Sequence, residues 1–407
     1  METLGLYLHI PFCLGKCRYC DFYSGAYPEK TRKAYVEALC RHLAAVAPRA
    51  AGYTVDTVYF GGGTPTILDG ADFARILHTV RGYFTILPGA EITAEANPAT
   101  VDEPKATELL SAGVNRLSIG AQSLDDGELR ALGRRHTKSD FLHTVKGVIA
   151  AGFSNLSADL MVGIPGQSPA SFAATLGEML SLHLPHFSVY SLRIEEGTPF
   201  YRERATLSLP GEDAEEEIWQ TAIKTLTGAG YRHYEISNFA LPGYESKHNL
   251  RYWLRSPYLG FGPGAHSFFE NVRFETPRDL TGYLAAADAG AWASLCQNAH
   301  RVGGKEEQDE YVMLRMRLDT GVAEADFSRR FGTTMETAYG DFSRLIAAGF
   351  LARRNGRIAF TERAFASATP SFRTGWISAR SETLSAAGEK QRSVYGFSGD
   401  FGYARAG

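Results

Sequence analysis

The chain has no apolar run approaching the roughly 18 residues of a membrane-spanning helix, so a transmembrane segment is not expected. It has no excess of basic residues. The 42 Lys and Arg stand against 45 Asp and Glu, a net charge of -3, which argues against nucleic acid as a partner. The opening Met1-Glu2-Thr3-Leu4-Gly5 lacks the basic and apolar regions of a signal peptide. A cytoplasmic place is expected, with peripheral contact at a membrane left open. Cysteine is scarce: five in 407 residues, an odd number, which argues against a disulfide framework. No solenoid-type repeat is visible. What remains is globular composition, 44% hydrophobic and 21% charged, in a chain long enough to bury a full core in two or three domains.

The first half alternates short β-rich runs with amphipathic helical stretches. Strands are expected over 6–11, 57–61, 91–96, 116–121, 155–162 and 186–192, and helices over 30–47, 70–83, 103–112, 139–151 and 168–182. Strand and helix alternating at this spacing predict βαβ units and a parallel sheet. The expected fold class is α/β, a partial (β/α)6 barrel open on one side. Chemistry in such folds sits at the carboxyl ends of the strands, where the special residues of this sequence cluster.

A helix with an acidic first turn (Glu212, Asp213, Glu215, Glu216, Glu217) follows Gly211. Residues 231–275 are dense in aromatics and glycine and read as irregular loops with short strands. From Glu306 the pattern turns helical, then ends in Gly349-Phe350-Leu351 and Arg357-Ile358-Ala359-Phe360, as in a winged-helix-like α+β domain. The expected division is a core over 1–230, an aromatic and Gly-rich linker region over 231–300, the winged-helix-like domain over 301–365 and an unordered Ser/Gly-rich tail over 366–407.

Three of the five cysteines, Cys13, Cys17 and Cys20, fall in one C-x3-C-x2-C stretch, while Cys40 and Cys296 read as small buried hydrophobes. Three thiolates hold a [4Fe–4S] cluster one ligand short and leave one iron open to an external chelator. Zinc is the competitor, with His9 or His42 as a fourth ligand, although zinc loops usually come as two separate C-x2-C knuckles. On the zinc reading the winged-helix-like domain would serve a regulatory protein on DNA.

The stretch Tyr7-Leu8-His9-Ile10-Pro11-Phe12-Cys13 through Cys20-Asp21-Phe22 resembles the cluster loop of radical S-adenosylmethionine (SAM) enzymes. Its flanks, His9-Ile10-Pro11 and Asp21-Phe22, resemble those of the oxygen-independent coproporphyrinogen III dehydrogenase and its heme-chaperone relatives. The likeness runs over about residues 4–365. It implies a [4Fe–4S] cluster on Cys13, Cys17 and Cys20, with SAM on the open iron. It also implies that Gly62, Gly63 and Thr64 of the Gly61-Gly62-Gly63-Thr64-Pro65 run, together with Glu95, Gln122, Arg134 and Asp159, contact SAM. Tyr7 and Tyr19 flank the cluster. Physically, a carboxylate suits an ammonium or ribose diol and an arginine suits a carboxylate. Each such residue taken alone could equally cap a strand.

Within that family two jobs are open. The dehydrogenase decarboxylates propionates of a porphyrinogen and its loop resembles C-x3-C-x2-C-x-C with a long segment ahead of it. Here Phe22 takes the last cysteine's place and six residues precede Tyr7. The chaperone-like relatives carry His-Asn-x-x-Tyr-Trp, matched by His248-Asn249-Leu250-Arg251-Tyr252-Trp253. The resemblance therefore favours a heme chaperone, with heme as third cofactor and His248 as a candidate heme contact. The alternative role for His248 is a hydrogen-bonded histidine in a packed aromatic turn. Heme-accepting respiratory proteins are the implied partners, with a flavodoxin or ferredoxin as electron donor if SAM is cleaved; a homodimer is left open.

Overall fold

A computed structural model describes residues 2–367. The tail expected over 366–407 lies, but for its first two residues, outside them. Six parallel strands form the centre: β1 (Glu2–Ile10), β2 (Tyr53–Gly62), β3 (Ile86–Ala96), β4 (Arg116–Gln122), β5 (Leu156–Val162) and β6 (His186–Ser191). They lie side by side in chain order. The returning helices are α1 (Glu29–Val46), α2 (Gly70–Tyr83), α3 (Glu103–Ala112), α4 (Asp126–Leu132), α5 (Lys138–Ala150) and α6 (Pro169–Ser181). Side chains cap five of them in the manner their sequences announce, α4 through Asp125, which accepts from the Gly127 and Glu128 amides. Asp69 accepts from the Asp72 amide, Asp102 from that of Lys105, and Thr137 and Ser168 each close a capping box. The short helix α4 is an addition to the sequence reading.

Both faces of these strands are buried, yet they alternate in polarity. Leu6, Leu8, Val58, Phe60, Ile92, Ala94, Leu117, Ile119, Ala158, Leu160, Phe187 and Val189 join the helices in one apolar core. The intervening Tyr7, His9, Tyr59, Thr93, Glu95, Arg116, Ser118, Ser157, Asp159, His186 and Ser188 are equally buried and lie on the opposite face, with the polarity of a barrel interior. This alternation makes the strands readable as strands.

After β6 come α7 (Pro199–Glu203), α8 (Glu212–Gly228), β7 (Arg232–His233) and β8 (Asn238–Ala240). Then follow α9 (Lys247–Trp253), β9 (Tyr258–Phe261), β10 (His266–Phe269), β11 (Val272–Glu275), α10 (Leu280–Ala289) and β12 (Gln297–Arg301). The aromatic region is thus part of the sheet itself. β6 pairs with β8 and β1 with β9, so β1 and β6 do not meet and the barrel stays open. The last module holds α11 (Gly304–Arg315), β13 (Val322–Ala323), α12 (Glu324–Phe331), α13 (Met335–Tyr339), α14 (Ser343–Ala347), β14 (Leu351–Arg354) and β15 (Arg357–Phe360). Its three strands pair antiparallel, the winged-helix-like pattern expected. It docks through buried Arg255, whose Nε donates to Glu310 at 2.6 Å while Arg273 donates to the other oxygen at 2.7 Å. Among the described residues, no helix is long and apolar enough to cross a membrane.

The outer core depends on large side chains with no solvent contact. Phe60 is 0% exposed and packs on Phe73 with ring centroids 4.7 Å apart. Phe60→Ala is expected to lower stability by about 3–5 kcal/mol, read from chemical denaturation; a loss below about 1 kcal/mol would show that this face is not tightly packed.

Candidate active site

β1 ends at Ile10, and the chain then makes a loop pinched at its base. The Cys13 amide donates to Gly25 O at 2.9 Å and the Gly25 amide to Pro11 O at 3.1 Å. Inside the loop the Cys20 amide reaches Cys17 O at 3.3 Å. The Arg18 amide donates to Leu132 O at the end of α4, and the Phe200 amide of α7 donates to Arg18 O. The loop is therefore held from both sides. Its three cysteines line an open cleft together with Tyr19, Gly62, Gly63, Thr64 and Arg134. Burial pushes the Cys20 thiol up to about 12, with the neighbouring Cys17 and Cys13 adding to it.

The glycine turn at the end of β2 meets this loop backbone to backbone. The Gly63 amide donates to Ile10 O at 2.9 Å and the Thr64 amide to Phe12 O at 2.7 Å. A Cβ on Gly63 would stand 2.6 Å from Phe12 O, and one on Gly62 (φ +108°) would strike the His9 ring at 2.5 Å. These glycines are required by the approach of β1 itself, a demand invisible from the run alone. Thr64 Oγ1 lies 3.6 Å from Cys13 Sγ.

Glu95, at the end of β3, accepts from the Tyr59 hydroxyl at 2.9 Å and from the Gly62 amide at 3.1 Å. Burial raises its carboxyl to about 8 despite both donors. Asp159 accepts from the Ser118 hydroxyl at 3.2 Å, and burial raises it to about 6. Gln122 closes β4 with φ +68°, a left-handed backbone unusual for a side chain of its size. Its Oε1 accepts from the Tyr190 hydroxyl at 2.6 Å, and its buried Nε2 has no protein partner. Arg134 extends Nη1 to Cys17 Sγ at 3.8 Å and to the Tyr19 hydroxyl at 3.5 Å. Tyr7 is buried below, its hydroxyl 3.1 Å from His9 Nδ1. The structure thus brings the cysteines, Tyr19, the glycine turn and Arg134 to one cleft and sets Tyr7, Glu95, Gln122 and Asp159 in the interior beneath it.

His248 is elsewhere. It opens α9 on the floor of the barrel, fully buried, with Nδ1 2.8 Å from Thr57 Oγ1 and Nε2 3.0 Å from the Tyr252 hydroxyl. Its ring stacks on Tyr59 at 5.0 Å, and burial holds its pKa well below the usual histidine value. With both nitrogens engaged, this conformation leaves neither free to ligate an iron. Sequence reading overlooked Asn97 and Tyr190, which also line the cleft. Asn97 stands two residues past Glu95, the same-face step of a strand, and that spacing was the available signal.

The donor set distinguishes the two inorganic readings. For zinc, His9 and His42 were the candidate fourth ligands. His9 has Nδ1 at the Tyr7 hydroxyl and Nε2 2.9 Å from Tyr23 O, while His42 contacts the Tyr283 hydroxyl and stacks on Trp292. Among the described residues, no group of three His, Cys, Asp or Glu side chains converges as a single metal ion needs. Cys40 on α1 and Cys296 ahead of β12 lie outside the cleft lining, and neither is the buried hydrophobe expected: Cys40 is half-buried and Cys296 exposed. Three thiols around a cleft, a glycine turn whose Cβ positions are filled, and an unpaired Gln122 amide beneath fit a three-thiolate cluster with a bound organic ligand.

The fold is that of a radical SAM protein. Residues 7–179 match the radical SAM superfamily and residues 304–366 the HemN C-terminal domain. The heme chaperone HemW of Lactococcus lactis is 33% identical over 362 residues, 88% of this chain and 93% of its own. HemW of Escherichia coli is 36% identical over 353 residues, 86% of this chain and 92% of its own. The solved structure of coproporphyrinogen III oxidase (HemN) from Escherichia coli superposes with a TM-score of 0.80 at 23% identity, covering 93% of this chain and 89% of that one. The chain belongs to the HemW family within the radical SAM superfamily.

A carboxyl whose pKa is raised by folding favours the fold while protonated, and that contribution is lost as pH rises through the folded value. For Glu95 the window runs from about 4.5 to about 8. Glu95→Gln, neutral throughout, is expected to lose less stability than wild type between about pH 5 and pH 9. Parallel denaturation midpoints across that range would show that Glu95 titrates normally.

Proposed function

We propose that this protein is a heme chaperone that holds a [4Fe–4S] cluster on Cys13, Cys17 and Cys20, binds SAM at the cleft and passes heme to respiratory acceptor proteins. The observation that carries this reading is the pinched three-cysteine loop facing the glycine turn, with Thr64 and Arg134 at two of its sulfurs, in a chain whose full-length relatives are HemW proteins. When bound, the cluster and SAM supply an open iron and a sulfonium whose reductive cleavage gives a radical. The chain's own groups bind and orient. Arg134 offers a fixed cation to a ligand carboxylate, and Glu95, Gln122 and Asp159 offer acceptors and an amide from beneath. A cationic ligand beside Glu95 would draw its carboxyl down and release a proton on binding.

His248 acts in this reading as a packing and positioning residue beneath the cradle, and heme is held by another ligand. The reading has the protein in the cytoplasm, with peripheral contact at a membrane during heme handover. An electron donor such as a flavodoxin or ferredoxin is needed only if SAM is cleaved, and a homodimer is compatible with the role. The HemN-like fold favours one other reading, oxygen-independent decarboxylation of coproporphyrinogen III.

The deciding experiment is anaerobic. Reconstituted protein with reductant, SAM and coproporphyrinogen III is followed for protoporphyrinogen by mass spectrometry, and hemin is titrated into the same preparation. Tight hemin binding without turnover is expected; catalytic product would overturn the chaperone reading. In the same titration His248→Ala is expected to keep the wild-type heme spectrum, and a lost or displaced heme band would return His248 to the iron.

A further inference from the structure

We infer that Asn97 is a positioning residue that aims one hydrogen-bond donor at each of two cysteine sulfurs, Cys13 and Cys17. The inference rests on the reading of these cysteines as cluster ligands. Asn97 follows β3 and begins a tight turn in which its carbonyl accepts from the Thr100 amide at 3.0 Å and the Thr100 hydroxyl at 2.6 Å. Its backbone is therefore fixed. Its side chain reaches two different loops: Nδ2 donates to Thr64 Oγ1 at 2.8 Å, and Oδ1 accepts from Arg134 Nη2 at 2.7 Å.

The direction of these bonds is forced. A guanidinium has donors only, so the Asn97 oxygen must face Arg134 and its NH2 must face Thr64. Thr64 Oγ1 then accepts a hydrogen bond from Asn97 Nδ2, and its own hydroxyl hydrogen is free to point at Cys13 Sγ, 3.6 Å away. A thiolate accepts and does not donate, so Thr64 is the donor once Cys13 carries a metal. The chain of bonds runs amide to hydroxyl to sulfur, each polarising the next.

The second arm works through Arg134. Its Nη2 is occupied by Asn97 Oδ1 and by Gly120 O at 2.6 Å. That leaves Nη1 turned toward Cys17 Sγ at 3.8 Å. One amide thus ties the end of β3 to the turn after β2 and, through Arg134, to Gly120 of β4, and sets the donor directions on both sulfurs. Donors aimed at ligand sulfurs stabilise the more reduced, more negative cluster and raise its potential. Losing them lowers it.

The test is an EPR-monitored redox titration of anaerobically reconstituted protein without SAM, with iron and sulfide content measured on each sample. Asn97→Leu, close in size and uncharged, removes both the donor to Thr64 and the acceptor for Arg134; it is expected to lower the midpoint potential. Thr64→Val removes the first arm alone and is expected to lower it less, while Thr64→Ser, which keeps the hydroxyl, is expected to match wild type. A merely structural role would change thermal stability or cluster content and leave the potential of intact clusters in place. If the Asn97 variant assembles no cluster, the Thr64 pair decides, and equal potentials for valine and serine overturn the inference. A wild-type chain that takes up no iron and sulfide overturns the proposed function and this inference together. A wild-type cluster indifferent to both substitutions overturns this inference alone.

Discussion

Everything in this molecule depends on a sheet whose two faces are both buried and yet opposite in character. The outward face is apolar because six helices pack on it, and that contact supplies most of the burial that drives folding. The inward face is free to be polar because an open barrel does not need its interior for apolar packing. Tyr59, Thr93, Glu95, Arg116, Ser118, Asp159 and His186 sit there with almost no solvent contact. Such groups are costly to bury unless paired. Tyr59 pairs with Glu95, Ser118 with Asp159 and Ser157 with His186 across neighbouring strands. Among the described residues, Thr93 Oγ1 and Arg116 Nε and Nη1 have no hydrogen-bond partner.

That interior is the foundation of the cleft. The cysteine loop leaves β1, the glycine turn leaves β2, and Asn97 and Gln122 stand at the ends of β3 and β4. None of these segments is held by its own regular structure. They are held by each other: Gly63 and Thr64 on Ile10 and Phe12, Arg134 on Gly120 and Asn97, Arg18 on the end of α4. A site built on such cross-ties is positioned by rigid strands while its surface remains backbone and small side chains, the combination that lets a ligand approach closely.

The His-Asn-x-x-Tyr-Trp segment belongs to the opposite end of the same interior. Glu91 accepts from the Lys247 and His248 amides, Ser246 caps the helix, and Arg251 pairs with Asp56. Just beyond, Arg255 joins the C-terminal module through Glu307 and Glu310, and Arg317 of that module lies over Trp253 at 4.6 Å. The motif is a floor plate between barrel and C-terminal module, and its histidine faces the barrel side, bonded to Thr57 and to Tyr252 of its own helix.

The sequence by itself determined the α/β class, the six strands and most of their helices, because period-two and period-3.6 patterns record which face meets the core. It also set three cysteines within one eight-residue stretch, since spacing within one loop survives any folding. The tertiary structure decided what depends on contacts between distant segments. It made Gly62 and Gly63 necessary through His9, Ile10 and Phe12 and turned Asn97 into a bridge between Thr64 and Arg134. It also closed both nitrogens of His248 on Thr57 and Tyr252. Hydrogen-bond partners separated by tens to hundreds of residues leave no periodic mark in the chain, so only the folded arrangement could assign them.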